Sequence, residues 1–288
     1  MRIVDLIGRS GPVFSFEFFP PKTQQGEENL YHVIERLREL EPSFVSVTYG
    51  AGGTTRDKTL ELVRRIKHDL GIEAMAHLTC VGADRHEIES VLGRLRDAGI
   101  ENVLALRGDP PRDQAAFVRP TNGFGFAVEL VRFIRARRFP FSLGGACYPE
   151  GHVECRDRDE DLRHFKMKVD AGLDFAITQL FFDNADYFGF VARARAAGVS
   201  IAIVPGIMPI TNLAQIERFT AMCGAHIPPA LRTCLEQARE DEELVRRIGI
   251  EHATAQCRDL LARGAPGIHF YTLNQSPATR AILERLQR

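Results

Sequence analysis

The run Val13-Phe14-Ser15-Phe16-Glu17-Phe18-Phe19, brought to a stop by Pro20 and Pro21, is the stretch from which the fold is read. As a strand it points successive side chains to opposite sides, so Phe14, Phe16 and Phe18 share one face while Ser15 and Glu17 share the other. A charged group is rarely set in such an apolar run without a partner. Burial there raises a carboxyl's pKa toward the range in which it delivers a proton near neutral pH, which makes Glu17 a candidate acid. The plainer alternative is a strand-end glutamate that meets solvent.

With 13–18 as the first, eight short β-branched or aromatic runs mark the chain, the others lying at 43–48, 72–79, 102–107, 141–147, 174–179, 200–205 and 267–272. The early ones recur about every thirty residues, near the length of a strand-helix-strand unit. Helical stripes fill the intervals: Leu30, Val33, Ile34, Leu37 and Leu40 in one, Ile88, Val91, Leu92 and Leu95 in another. Asp84 with Glu87 three positions on forms a capping box before the latter, and Gly99 and Gly198 stand where helices end. Eight strands, each followed by a helix, over a length near the ~250 residues typical of the fold predict an α/β protein, a (β/α)8 TIM barrel. An open sheet would call for a phosphate-binding glycine fingerprint after the first strand, and neither GxGxxG nor GxxxxGK occurs. The longest interval, before the last strand, carries two further helical patterns at 228–239 and 242–263, read as insertions outside the barrel. The expectation is a single barrel domain over 1–288 with no regulatory domain.

The chain has 288 residues, 44% hydrophobic, enough for a large core. Lys plus Arg number 37 against 38 Asp plus Glu, so charge gives no argument for nucleic acid or an anionic membrane. The start MRIVDLIGRS lacks a signal-peptide core and no stretch approaches ~20 apolar residues, so a cytoplasmic protein is expected. Six scattered cysteines without a CxxC pair fit reduced thiols, and the histidines show no HExxH spacing. His152 and Glu154 make an HxE triplet with no PCxxC after it. No metal is expected.

Barrel enzymes work at the C-terminal ends of their strands. Polar residues gather there: Glu17, Thr48, His77 and Thr79, then Arg107-Gly108-Asp109, Tyr148, His152 and Gln179, and finally His269, Tyr271 and Asn274. Singly, each has a dull explanation, such as satisfying backbone groups or capping a helix. In the turn Arg107-Gly108-Asp109-Pro110-Pro111, the glycine permits a conformation or a close ligand approach that a side chain would block, and the two prolines stiffen the exit from the turn. Arg107 suits a ligand phosphate, and Asp109 could bias a bound heterocycle or stabilise a cation; a local Arg107–Asp109 ion pair is the bland reading.

Several long segments, in order, carry a resemblance: FSFEFFPPKT at Phe14 to Thr23, FVSVTYGAGG at Phe44 to Gly53, AHLTC at Ala76 to Cys80, LALRGDPP at Leu104 to Pro111, KVDAG and AITQLFFD within Lys168 to Asp183, PGIMPI at Pro205 to Ile210 and HFYTLN at His269 to Asn274. In these the chain resembles methylenetetrahydrofolate reductase, in its compact bacterial form. The resemblance implies a barrel with noncovalent FAD that reduces 5,10-methylenetetrahydrofolate to 5-methyltetrahydrofolate with NADH or NADPH. By that analogy the nicotinamide reduces the flavin and leaves before folate takes its place, a ping-pong sequence, and the chains assemble into a homo-oligomer. Glu17 would be the acid that opens the folate's five-membered ring, with Asp109 stabilising the cation. Thr48, His77, Leu106, Arg107, Gly108, Asp109, Ala146, Tyr148, His152, Asp161, His164 and Lys168 would line the FAD site. Glu17, Gln179, Phe219 and Tyr271 would hold folate or nicotinamide. His164, Met167 and Gln275 depart from the family pattern, which often has Asn, Arg and Arg there. Other readings are a catalytically silent folate- or flavin-binding regulator of the same fold, and a flavin-free, phosphate-handling lyase or isomerase.

Overall fold

The computed structural model describes residues 1–9, 11–49, 56–110, 116–155 and 157–286. Gly50 to Gly53 of the FVSVTYGAGG segment, and Pro111, lie outside the described residues. The strands are β1 Val13–Phe18, β2 Phe44–Val47, β3 Ala74–Thr79, β4 Asn102–Leu106, β5 Ser142–Cys147, β6 Phe175–Thr178, β7 Ala202–Val204, β8 Gly206–Ile207 and β9 Gly267–Tyr271. They pair in parallel in the order β7-β6-β5-β4-β3-β2-β1-β9-β8. One more strand appears than the sequence predicts: the run expected at 200–205 is β7 as far as Val204, and past Pro205, which has no N–H to give a ladder, Gly206–Ile207 forms the short β8. β7 pairs with β6 and β8 with β9, and the Pro205 carbonyl still accepts a hydrogen bond from His269 N at 2.9 Å. Both edges of the sheet thus belong to one pass of chain, and the expected (β/α)8 barrel is closed.

The helices are α1 Ile3–Leu6, α2 Gln24–Arg38, α3 Arg56–His68, α4 Arg85–Asp97, α5 Ala127–Ala136, α6 Arg158–Asp170, α7 Asn184–Ala196, α8 Leu213–Cys223, α9 Pro229–Gln237, α10 Glu242–Ala262 and α11 Pro277–Leu286. Phe16 and Phe18 of β1 face outward and are fully buried with Leu30, Ile34 and Leu37 of α2, each such side chain contributing about 1.5–3 kcal/mol. The capping box of α4 is present: Glu87 N donates to Asp84 Oδ1 at 2.8 Å and Asp84 N to Glu87 Oε2 at 2.9 Å. Val13, Phe44, Met75, Leu104, Phe175, Ile177 and Val204 fill the barrel from inside, joined by Ile3 of α1, whose N–H donates to Asn102 Oδ1 at 2.7 Å. Asn102 opens β4, so α1 closes the end opposite the strand C-termini. Gly144 makes this filling possible, because a Cβ there would stand 2.7 Å from the Phe175 ring and 2.8 Å from Leu104.

Extra helices do precede the last strand, with one difference from expectation. Helices α8 and α9 form a separate apolar cluster around Leu213, Ile216, Leu231 and Leu235. Helix α10 does not lie outside the barrel: Ala253, Cys257 and Leu260 are buried in the main core. Their spacing of four and three puts them on one helix face, and small residues there let α10 approach the barrel wall. Among the described residues no helix is long and apolar enough to cross a membrane.

Candidate active site

A cavity of about 490 Å³ opens at the C-terminal ends of the strands. Because the strand period is two, inward positions deliver Glu17 from β1, His77 and Thr79 from β3, Ala146 from β5 and Tyr271 from β9. Thr48, Tyr148 and Gln179 stand in the loops just past β2, β5 and β6, and Leu106 ends β4. The turn Arg107-Gly108-Asp109 and His152 complete one wall, and Phe219 of α8 reaches in from the second cluster. All the sequence-predicted site residues line this cavity except Asp161, His164 and Lys168.

Glu17 lies at the centre of a polar cluster. Its Oε2 is 3.4 Å from His77 Nε2 and 3.5 Å from His269 Nε2, with its side chain 18% exposed. His269 Nδ1 lies 2.8 Å from Ser15 Oγ, two residues back on the same face of β1. A carboxylate only accepts, so the His269 Nε2–H donates to Glu17. The main chain is pinned independently: Thr272 Oγ1 donates to the Glu17 carbonyl at 2.6 Å, and Asn274 exchanges hydrogen bonds with the Phe19 backbone at 2.9 and 2.8 Å. Here the structure corrects the sequence reading. Burial pushes the Glu17 carboxyl up, but the nearby His77 and the hydrogen bond and charge of His269 outweigh it and hold the group below its ordinary value. Without a ligand Glu17 is therefore a carboxylate at neutral pH.

The 107–109 turn behaves as its glycine suggests. Gly108 has φ +88°, and a Cβ there would stand 2.9 Å from Thr79, so backbone alone forms this wall. The ion pair differs from the bland expectation: Arg107 grips Glu154 through two hydrogen bonds of 2.5 and 2.8 Å, not Asp109. Lys168 comes from behind the wall, donating to the Ala146 carbonyl at 2.6 Å, with its ammonium 5.8 Å from the ring centres of both Tyr148 and Phe165. Burial lowers its pKa. Asp161 is buried on the same helix, burial pushing its carboxyl up, whereas His164 and Met167 are exposed. Burial also pushes the Tyr148 and Tyr271 hydroxyls up, leaving both as donors; that of Tyr271 bonds the Thr178 carbonyl at 2.6 Å.

The family model for methylenetetrahydrofolate reductase matches residues 2–287. The chain belongs to this family. The Arabidopsis thaliana "Methylenetetrahydrofolate reductase (NADH) 1" is 41% identical over 99% of this chain and 51% of its own length. The "5,10-methylenetetrahydrofolate reductase" of Escherichia coli (strain K12) is 38% identical over 94% of this chain and 90% of its own. The chain thus spans about half the length of the plant relatives it matches. A solved structure from Clostridium thermocellum, described as binding two copies of 5-methyl-5,6,7,8-tetrahydrofolic acid, superposes with a TM-score of 0.62, covering 96% of this chain and 94% of that one. At 14% identity that likeness speaks for the fold alone.

Two residues around this reductase-family site escaped the sequence reading of roles. His269 was placed at the mouth without a task, although the alternation that sets Tyr271 inward sets His269 inward one layer below. Glu154 was weighed only for metal binding, and its link to Arg107 joins positions 47 residues apart, which no local pattern reveals.

His77 gives the site a measurable acid sensitivity. Burial lowers its pKa from 6.5 to about 4. The folded state then refuses a proton that the unfolded chain accepts, so stability is complete above pH 6.5 and falls as the pH drops toward about 4, by about 3 kcal/mol. Glu17, also held low, adds its own loss only at still lower pH. In denaturant melts at pH 7 and pH 4.5, His77→Gln should narrow the drop seen in the wild type, and an unchanged drop would show that His77 takes up no proton differentially.

Proposed function

We propose that the protein reduces 5,10-methylenetetrahydrofolate to 5-methyltetrahydrofolate, drawing on NADH or NADPH through a noncovalently bound FAD. The observation that carries this reading is the Glu17 carboxylate inside the barrel mouth, between two imidazoles and facing a cavity of about 490 Å³. The residues present fit a flavin. The wall at Gly108 is bare backbone, Arg107 supplies a fork suited to a pyrophosphate, and among the described residues the buried His77 Nε2 has no hydrogen-bond partner. Thr48, Leu106, Ala146, Tyr148 and His152 would complete the holding surface, and Lys168 would add positive charge from behind it. When bound, FAD supplies hydride transfer, a chemistry no side chain offers.

The chain's own residues supply the proton and the positioning. Gln179, Phe219 and Tyr271 hold the substrate beside Glu17. A substrate covering Glu17 removes its remaining contact with water, and that further burial favours the neutral carboxyl. The carboxyl then takes up a proton and gives it to the folate nitrogen that leaves the methylene carbon. Asp109 faces the resulting cation from the 107–109 turn. Family membership supports this reading over a flavin-free lyase, and turnover separates it from a silent folate-binding regulator.

Protein reconstituted with FAD should lose its flavin absorbance on anaerobic addition of NADH and regain it with methylenetetrahydrofolate. Denaturation should release FAD unmodified. Retention of FMN, or of no flavin, would remove the cofactor from the proposal, and reduced protein indifferent to the folate would remove the substrate.

A further inference from the structure

Two segments that line the cavity touch one another although they lie far apart along the chain. One is the loop after β5, with Tyr148, His152 and Val153; the other is the C-terminal part of α8, with Phe219, Met222 and Cys223. Gly224 ends α8 at φ +75°, and a Cβ there would stand 2.8 Å from Val153, so the loop packs on bare backbone. Beside this contact the His226 N–H donates to Glu150, at 3.2 Å to Oε1 and 3.0 Å to Oε2. The loop has fastenings of its own, because Arg107 grips Glu154 and Asp157 caps α6 by accepting from Asp159 N at 2.8 Å. Helix α8 instead packs in the separate apolar cluster, and the Glu150 bond ties its exit to the barrel side.

Glu150 is half-buried, with Asp183 and Asp186 facing it from the start of α7, Arg158 from α6, and Cys223 and His226 from the end of α8. Burial and the two aspartates outweigh the N–H bond and Arg158, raising its carboxyl from 4.5 to about 7. We propose that Glu150 is a positioning residue for the substrate side of the cavity, its bond to His226 N setting how closely the α8 end, and Phe219 with it, stands over the site. The inference rests on the folate reading above, in which Phe219 holds the ligand, and adds what holds Phe219. Parted from His226 and open to water, Glu150 returns toward its ordinary value, so the joined state binds the proton more tightly and is favoured as pH falls. Between that ordinary value and about 7, the ratio of joined to parted states drops about tenfold for each unit of pH gained. Above about 7 both states are ionised and the ratio levels off.

The test is amide hydrogen exchange across residues 219–226 of the FAD-loaded chain at pH 5.5 and pH 8, read as protection relative to an unstructured chain so that the intrinsic pH dependence cancels. In the wild type, protection of the His226 amide should be roughly tenfold or more higher at pH 5.5. Glu150→Gln, neutral at either pH, should keep high protection at both, and Glu150→Ala, which has no acceptor, should lose it at both. Affinity for 5-methyltetrahydrofolate should follow. Wild type and Glu150→Gln should bind equally at pH 5.5, and at pH 8 Glu150→Gln should bind several-fold more tightly, a gain that loss of a merely structural group would not give. Wild-type protection that does not change with pH, or the same change in Glu150→Gln, overturns the proposal, as does equal folate affinity of the two at pH 8. If neither binds folate at either pH, the folate reading falls, and the exchange alone decides whether Glu150 holds the α8 end.

Discussion

Glu17→Gln is expected to leave the reduction of bound flavin by NADH at close to its wild-type rate while slowing the subsequent reaction with methylenetetrahydrofolate by roughly 10²–10⁴-fold, the usual cost of losing a general acid. The substitution is conservative where it should be. The Gln oxygen can still accept from His269 Nε2, and the strand end is held through the Glu17 carbonyl by Thr272, which does not involve the side chain. What is lost is the transferable proton. Because the ligand-free carboxyl sits below its ordinary value, the proton must be acquired in the substrate complex. The wild-type folate step should therefore slow as pH rises, and the Gln variant should lose that dependence. Stopped-flow absorbance separates the two half-reactions: equal damage to both would indicate a disturbed cofactor site, and no damage to either would make Glu17 a structural residue.

Asp109→Asn should slow the folate step by roughly ten- to a hundredfold, the scale of one charge-assisted contact, with a smaller effect on flavin reduction. Gly108 fixes the turn through its backbone, and Arg107 is paired with Glu154, so removing the Asp109 charge leaves the geometry of the wall in place. The loss should fall on the step in which a cation forms. Full folate turnover in this variant would assign Asp109 to the turn's structure.

The barrel was legible because its evidence is local and periodic. The alternation in Val13–Phe18 places Glu17 inward and the phenylalanines outward, as observed, and the Asp84–Glu87 cap needs only a four-residue window. The short strand beyond Pro205 was less legible, since the run reads as ending at 205 until the pairing of Gly206 and Ile207 with β9 is seen. Helix α10 was misplaced because its apolar face is made of small residues, Ala253 and Cys257, which carry little amphipathic signal. In the site, the residues brought in by strand alternation were found, but the sign of the Glu17 shift was not. Burial is visible in an apolar run; the two imidazoles that outweigh it come from β3 and β9, 60 and 252 residues away along the chain.

The β1–β9 pairing has a further consequence for how the protein comes to exist. Ser15 lies opposite His269 and Glu17 opposite Tyr271, so the seam that closes the barrel runs through the Glu17 cluster. Pairings so distant along the chain carry a large loop-closure cost and form late, after the neighbouring strands have zipped together. A chain whose β1 and β9 have not yet paired holds Glu17 in water, without His269 to orient its surroundings. The cluster is thus completed with the final join, and a transient parting of that one seam takes it apart while most of the wall still stands.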